Sequence, residues 1–172
     1  MQLGREHNGR PVVLVPATRS VTLSLSHTAR YLAIAVLAVH RDRPPPRLGI
    51  DIEPCEGRPV SAQLLPWLAP HESAAVAAAA EDHRRLAFLG VWTQKEAYLK
   101  ALGRGVDSPL ADFEVQTDMH ADAAVTRAAS WSGAESLSLY RLRGSGWVGA
   151  LASDHPEAQL HVQTLSIPQG VP

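Results

Sequence analysis

The chain has 172 residues, 45% of them apolar and 19% charged, with a formal net charge of −1. Such a composition describes one compact domain, or two small packed lobes, able to bury a sizeable core, and it excludes a broad basic surface for nucleic acid. The one cysteine, Cys55, excludes an intramolecular disulfide and makes the cytoplasm the expected compartment.

The opening stretch MQLGREHNGR is polar and lacks the apolar core of a signal peptide. Strands are expected at PVVLV (11–15), VTLSLS (21–26) and YLAIAVLAV (31–39), each bounded by polar or turn-forming residues. The last of these is also the longest apolar run, and it is far too short to span a bilayer. No membrane association is expected. HRDRPPPR (40–47) is a charged, proline-rich connector that cannot continue a sheet, so it marks a boundary between a unit at 1–46 and one at 47–172.

LGIDIEP (48–54) reads as a strand stopped by Pro54. PHESAAVAAAA (70–80) reads as a helix opened by proline, and EDHRRLAFLGVW (81–92) as a second with Gly90 a weak point. A third helix is expected from Thr93, whose spacing to Glu96 matches a capping box, and Gly103 suits its exit. Strands follow at 112–116, 136–143, 147–153 and 160–167, with an irregular or partly helical stretch at 119–135. Strands and helices without strict alternation give an α+β fold class.

Two patterns carry chemistry. In GIDIE (49–53) alternation puts Asp51 and Glu53 on one face and Ile50 and Ile52 on the other. Two carboxylates projecting together suit a hard cation such as Mg²⁺, and they equally describe a solvated acidic strand face. VWTQKEAYLKALGRG (91–105) holds the only lysines of the chain, Lys95 and Lys100. Glu96 and Lys100, one turn apart, make an ordinary helix-surface pair, or else a third carboxylate ligand and a compact charge beside phosphate oxygens. His27, at a strand end, reads as a structural hydrogen-bonding residue, and Ser26 as a common strand-end residue.

Taken together the residues resemble the 4′-phosphopantetheinyl transferases of the Sfp type. The pattern G-I-D-x-E appears as Gly49-Ile50-Asp51-Ile52-Glu53, and W-[ST]-x-K-E-[AS]-x-x-K as Trp92 to Lys100. Upstream, Gly9-Arg10-Pro11 and Ser24-Leu25-Ser26-His27 match a G-[KR]-P turn and an S-[ILV]-[ST]-H segment. Downstream, Gly103-Arg104-Gly105 and Pro109-Leu110 match G-[KR]-G and P-L.

The resemblance implies a fold of two pseudo-related lobes, the first of them shortened here. It implies transfer of the 4′-phosphopantetheine arm of coenzyme A to a serine of an apo acyl or peptidyl carrier protein, with release of adenosine 3′,5′-bisphosphate. By the same implication Asp51, Glu53 and Glu96 hold Mg²⁺, Lys100 contacts phosphate, and Glu96 is the base for the serine hydroxyl. Lys95 binds phosphate or orients the site, Ser26 and His27 bind coenzyme A, Gly9, Arg10 and Pro11 line its adenine side, and Leu110 touches the pantetheine arm. Arg84, Arg85 and Arg104 are candidates for a patch facing an acidic carrier, or ordinary solvated charge. The shortened lobe leads to an expectation of self-association, through uncovered apolar surface or a sheet edge. Two other readings compete: a catalytically weak carrier-binding module or excised domain of a larger synthase, and a Mg²⁺-dependent phosphohydrolase.

Overall fold

The computed structural model describes residues 2–5, 11–14, 19–40, 43–104, 110–117, 126–127 and 137–155. Two antiparallel four-stranded sheets pair with two α-helices, an α+β arrangement. The first sheet has the order β1 (Gln2–Arg5), β2 (Pro11–Leu14), β3 (Arg19–His27), β4 (Leu32–His40). The second runs β5 (Leu48–Pro54), β8 (Trp147–Ser153), β7 (Ser138–Gly144), β6 (Thr126–Arg127). Between β5 and β6 lie a 3₁₀ turn at Ala62–Trp67, helix α1 (Pro70–Ala78), helix α2 (Glu81–Ala101) and a 3₁₀ turn at Leu110–Asp112. Among the described residues no helix is long and apolar enough to cross a membrane.

Sequence periodicity explains the layers. On the second sheet Gly49, Asp51 and Glu53 stand opposite Ala152, Ala150 and Val148 in register, and this face carries α2. The other face presents Leu48, Ile50, Leu142 and Leu151 to Ala35 of the first sheet, forming a separate apolar cluster. Gly49 is required by closeness: a Cβ there would meet the Ala97 carbonyl oxygen at 2.0 Å. The strand backbone therefore lies directly on the helix. On β3 and β4 the same alternation buries Ser24, Ser26 and Ala35 and leaves Leu25, Leu32, Ile34 and Val36 exposed on the outer face.

The expectation of two helices across 81–103 is corrected. Residues 81–101 form one continuous helix, in which Thr93 is fully buried and donates from Oγ1 to the Leu89 carbonyl at 2.9 Å. Thr93 is not an N-cap and Glu96 caps nothing. The residues from Phe88 to Leu99, apart from the half-buried Trp92, are buried, and that packing outweighs the ~1 kcal/mol helix cost of Gly90. The Glu half of a capping box is found at α1 instead, where Glu72 Oε2 accepts from the Ala69 N–H at 2.8 Å. Gly103 does end α2, with φ 68°, and Arg104 N–H reaches the Leu99 carbonyl at 2.9 Å while Gly103 N–H reaches that of Lys100 at 3.1 Å. That is a Schellman exit. The strand expected at 112–116 is also corrected: Leu110–Asp112 is a 3₁₀ turn and the residues after it are irregular, their groups tied to side chains of other elements. Residues 160–167 lie outside the described residues.

Candidate acidic site on strand β5 and helix α2

Strand β5 pairs with β8 along one edge only. An unpaired edge leaves N–H and C=O groups needing partners. Here side chains supply them. Ser24 Oγ accepts the Ile50 N–H at 3.0 Å and Ser26 Oγ accepts the Ile52 N–H at 3.2 Å, so two serines of β3 act as rungs between the sheets. Lys100 Nζ donates to the Ile50 carbonyl at 3.2 Å.

The same groups hold Asp51. Its Oδ1 accepts from Ser26 Oγ at 2.9 Å and from Lys100 Nζ at 2.7 Å. Its Oδ2 is buried and has no hydrogen-bond partner among the described residues, and the same is true of Glu96 Oε1. Glu53, half-buried, completes the acidic group from the same face of β5. The electrostatics show that the three carboxyls share one region. Burial pushes Glu96 up to about 6, and the Asp51 and Glu53 charges push the same way against Lys100. Burial also raises Glu53, with Asp51 adding to it and Arg85 and Lys100 opposing. Asp51 is raised by burial despite Lys100 and Ser26.

Buried carboxylate oxygens without partners cost free energy, and a hard cation removes that cost. The oxygen chemistry of Asp51 and Glu96, with Glu53 beside them, therefore fits Mg²⁺. Among the described residues no three His, Cys, Asp or Glu groups stand close enough to form a cation cage by themselves. Magnesium does not need one, since it keeps several waters and takes ligands from phosphates alongside one or two carboxylates.

A protein-family model described as the 4′-phosphopantetheinyl transferase superfamily matches residues 47–152. The chain belongs to this superfamily. It is 28% identical over 116 residues to a 4′-phosphopantetheinyl transferase of Bacillus subtilis, covering 67% of this chain and 47% of that protein. It is 26% identical over 127 residues to 4′-phosphopantetheinyl transferase Sfp of Bacillus subtilis strain 168, covering 73% and 51%. The chain thus spans about half the length of these curated relatives.

Against that family pattern, the geometry separates the expected site residues. Asp51, Glu53, Glu96 and Lys100 come together. Ser26, expected to bind coenzyme A, is buried here, donates from Oγ to Asp51 and accepts the Ile52 N–H. His27 is exposed at the end of β3. Lys95 does not join the group. It is fully buried, paired with Glu72 at 2.8 Å, and donates to the carbonyls of Leu110 at 2.6 Å and of Phe113. Phosphate binding and orientation of the site are its two expected roles, and its ammonium lies here among core groups. Leu110, expected to touch the pantetheine arm, is likewise in the core, with its carbonyl on Lys95. Pro11 opens β2, while Gly9, Arg10, Gly105 and Pro109 lie outside the described residues.

Sequence reasoning misses Ser24 and Glu72. Ser24 carries a signal, its two-residue spacing from Ser26 on one strand face. Glu72 carries only its place in the first turn of α1. Arg85, expected in a patch facing an acidic carrier or as ordinary solvated charge, donates to backbone carbonyls of the chain leaving β5.

Proposed function

We propose that the protein transfers the 4′-phosphopantetheine arm of coenzyme A to a serine of an apo acyl or peptidyl carrier protein, releasing adenosine 3′,5′-bisphosphate, with Mg²⁺ as cofactor. The observation that carries this reading is the pair of buried oxygens without partners among the described residues, Asp51 Oδ2 and Glu96 Oε1, beside the ammonium of Lys100. Asp51, Glu96 and Glu53 would hold the ion, which when bound would neutralise charge on the pyrophosphate of coenzyme A.

The chain's own residues account for the rest. Ser26 and Lys100 fix Asp51 through Oδ1, which leaves Oδ2 for the ligand. Lys100 Nζ, partly exposed, is a compact charge able to meet phosphate oxygens and to stabilise the leaving phosphate. Glu96 is the candidate base for the serine proton, directly or through a water. Catalysis of this type rests on positioning and charge neutralisation.

The test is intact-mass measurement of an apo carrier protein incubated with this chain, coenzyme A and Mg²⁺, beside a Glu96→Ala control. A mass gain equal to phosphopantetheine, lost in the control, is the expected result; no gain on several carriers overturns the reading. The reading also divides the chain into a coenzyme A side at 1–46 and a metal-site unit at 47–172. It includes self-association through the exposed Leu32, Ile34 and Val36 of β4, against which a monomer by light scattering at micromolar concentration would count.

A second reading, a catalytically weak carrier-binding module, is favoured by the internal commitment of Ser26 and Lys95, which leaves fewer donors for coenzyme A. Magnesium-dependent binding of coenzyme A by calorimetry separates the two: the transferase requires it.

A further inference from the structure

Arg85 stands fifteen residues before Lys100 on α2, close to the same stripe as Glu96. Its guanidinium reaches the chain immediately after Glu53. Nε donates to the Cys55 carbonyl at 2.8 Å, Nη1 to that of Arg58 at 2.7 Å, and Nη2 to those of Pro54 at 3.0 Å and Glu56 at 3.1 Å. The turn wraps around the cation closely. Gly57 has φ 144°, and a Cβ there would meet Nη2 at 2.8 Å. Only glycine allows both the backbone angle and the approach.

A planar cation held by the carbonyls of residues 54, 55, 56 and 58 is a built contact, since each bond is charge-assisted and the fork geometry cannot be copied by lysine. It also completes a pattern. Lys100 pins β5 at Ile50 and Asp51, and Arg85 pins the chain where β5 ends, so α2 holds the acidic strand at its middle and at its carboxyl end.

We propose that Arg85 is a positioning residue for the acidic site, fixing the carboxyl end of β5 and with it the placement of Glu53. The proposal rests on the metal reading given above for what Glu53 does, and on the Arg85 contacts alone for how Glu53 is held.

Arg85→Lys tests it, because the charge stays and the fork is lost. Hydrogen exchange of the backbone at 53–58 is compared between the variant and the unaltered chain, with Val76→Ala, a core truncation on α1, as a control for general destabilisation. Binding of Mn²⁺ alone is followed on the same three proteins by electron paramagnetic resonance. Arg85→Lys is expected to speed exchange at 53–58 selectively and to weaken Mn²⁺ binding roughly 10-fold, as loss of an outer support of a metal site does. Val76→Ala is expected to lower thermal stability and leave Mn²⁺ affinity unchanged. Unchanged exchange at 53–58 in Arg85→Lys overturns the proposal, and so does faster exchange with unchanged Mn²⁺ affinity. If the unaltered chain binds no Mn²⁺, the metal reading fails. Exchange at Glu53 and Glu56 then decides the positioning role by itself.

Discussion

Helix α2 carries two lysines five positions apart, and each meets a carboxylate on another element, with opposite outcomes. Lys95 and Glu72 are both fully buried. The remaining donors of Lys95 go to carbonyls, its Nζ lies 4.3 Å from the centre of the Phe113 ring, and Glu72 Oε1 and Oε2 also take the N–H groups of Val115 and Ala69. Burial pulls Lys95 below the ordinary lysine range, with Glu72 opposing. Every charged atom of that pair has a partner, and it joins α1, α2 and the 110–115 segment. Lys100 and Asp51 make an equally short contact at 2.7 Å, but the lysine is partly exposed and Asp51 Oδ2 and Glu96 Oε1 are left without partners among the described residues. A satisfied buried pair organises structure. An unsatisfied one, open on one side, is ready for a ligand.

The largest expected effect is on the open site. Glu96→Ala should lower the proposed transferase activity more than ~100-fold, beyond what loss of an outer support costs, with little loss of folding stability. Initial rates alongside thermal melts check both halves, and a melt falling in proportion to the rate would erase the distinction between the two regions.

Lys95→Met should act the other way, costing roughly 3–5 kcal/mol of stability because Glu72 is left as a buried unpaired charge. Urea unfolding measures it. Adding Glu72→Leu should recover only part of the loss, since the N–H groups of Ala69 and Val115 would then lack their acceptor.

Acidity sharpens the contrast next. The folded state holds the Glu96 proton more tightly than the unfolded chain does, with a carboxyl at about 6 against the ordinary 4.5. Stability from this group is therefore full below the unfolded value and falls as pH rises through about 6, by on the order of 2 kcal/mol. The raised carboxyls of Asp51 and Glu53 act in the same sense. Melting temperature without divalent ions should decline over that window, and added Mg²⁺ should raise it more at pH 7 than at pH 5. Equal effects at both values would count against a cation on these oxygens.

The smallest effect tests the rigid relation between the two lysines. Thr93→Val should change stability by about 1 kcal/mol at most and leave helix content unchanged, because Thr93 lies within α2 and starts no helix. A drop in helical circular dichroism would restore the N-cap.

Much of the acidic site is legible in the order of the amino acids. Alternation on GIDIE places Asp51 and Glu53 on one face and the isoleucines on the other, as found, because a strand has one period and Gly49 admits one close neighbour. The spacing of Thr93 and Glu96 misleads, because a capping-box pattern also occurs inside a helix whose continuity comes from burial. Lys95 and Lys100 look alike in sequence, and helix geometry alone turns them roughly 140° apart, one to the core and one to the strand. Nothing local says that Ser24 and Ser26 will meet the free edge of β5, or that Arg85 will meet carbonyls some thirty residues away.

The sequence by itself determined the superfamily, the α+β class and which carboxylates share the acidic region, since these follow from residue order and short-range periodicity. Tertiary structure alone decided which lysine lies beside the acidic group, which oxygens are left open and which side chains cover an unpaired strand edge. Those outcomes depend on burial and on donors brought together from distant segments, and the physics of an unpartnered polar group acts only once water has been removed from around it.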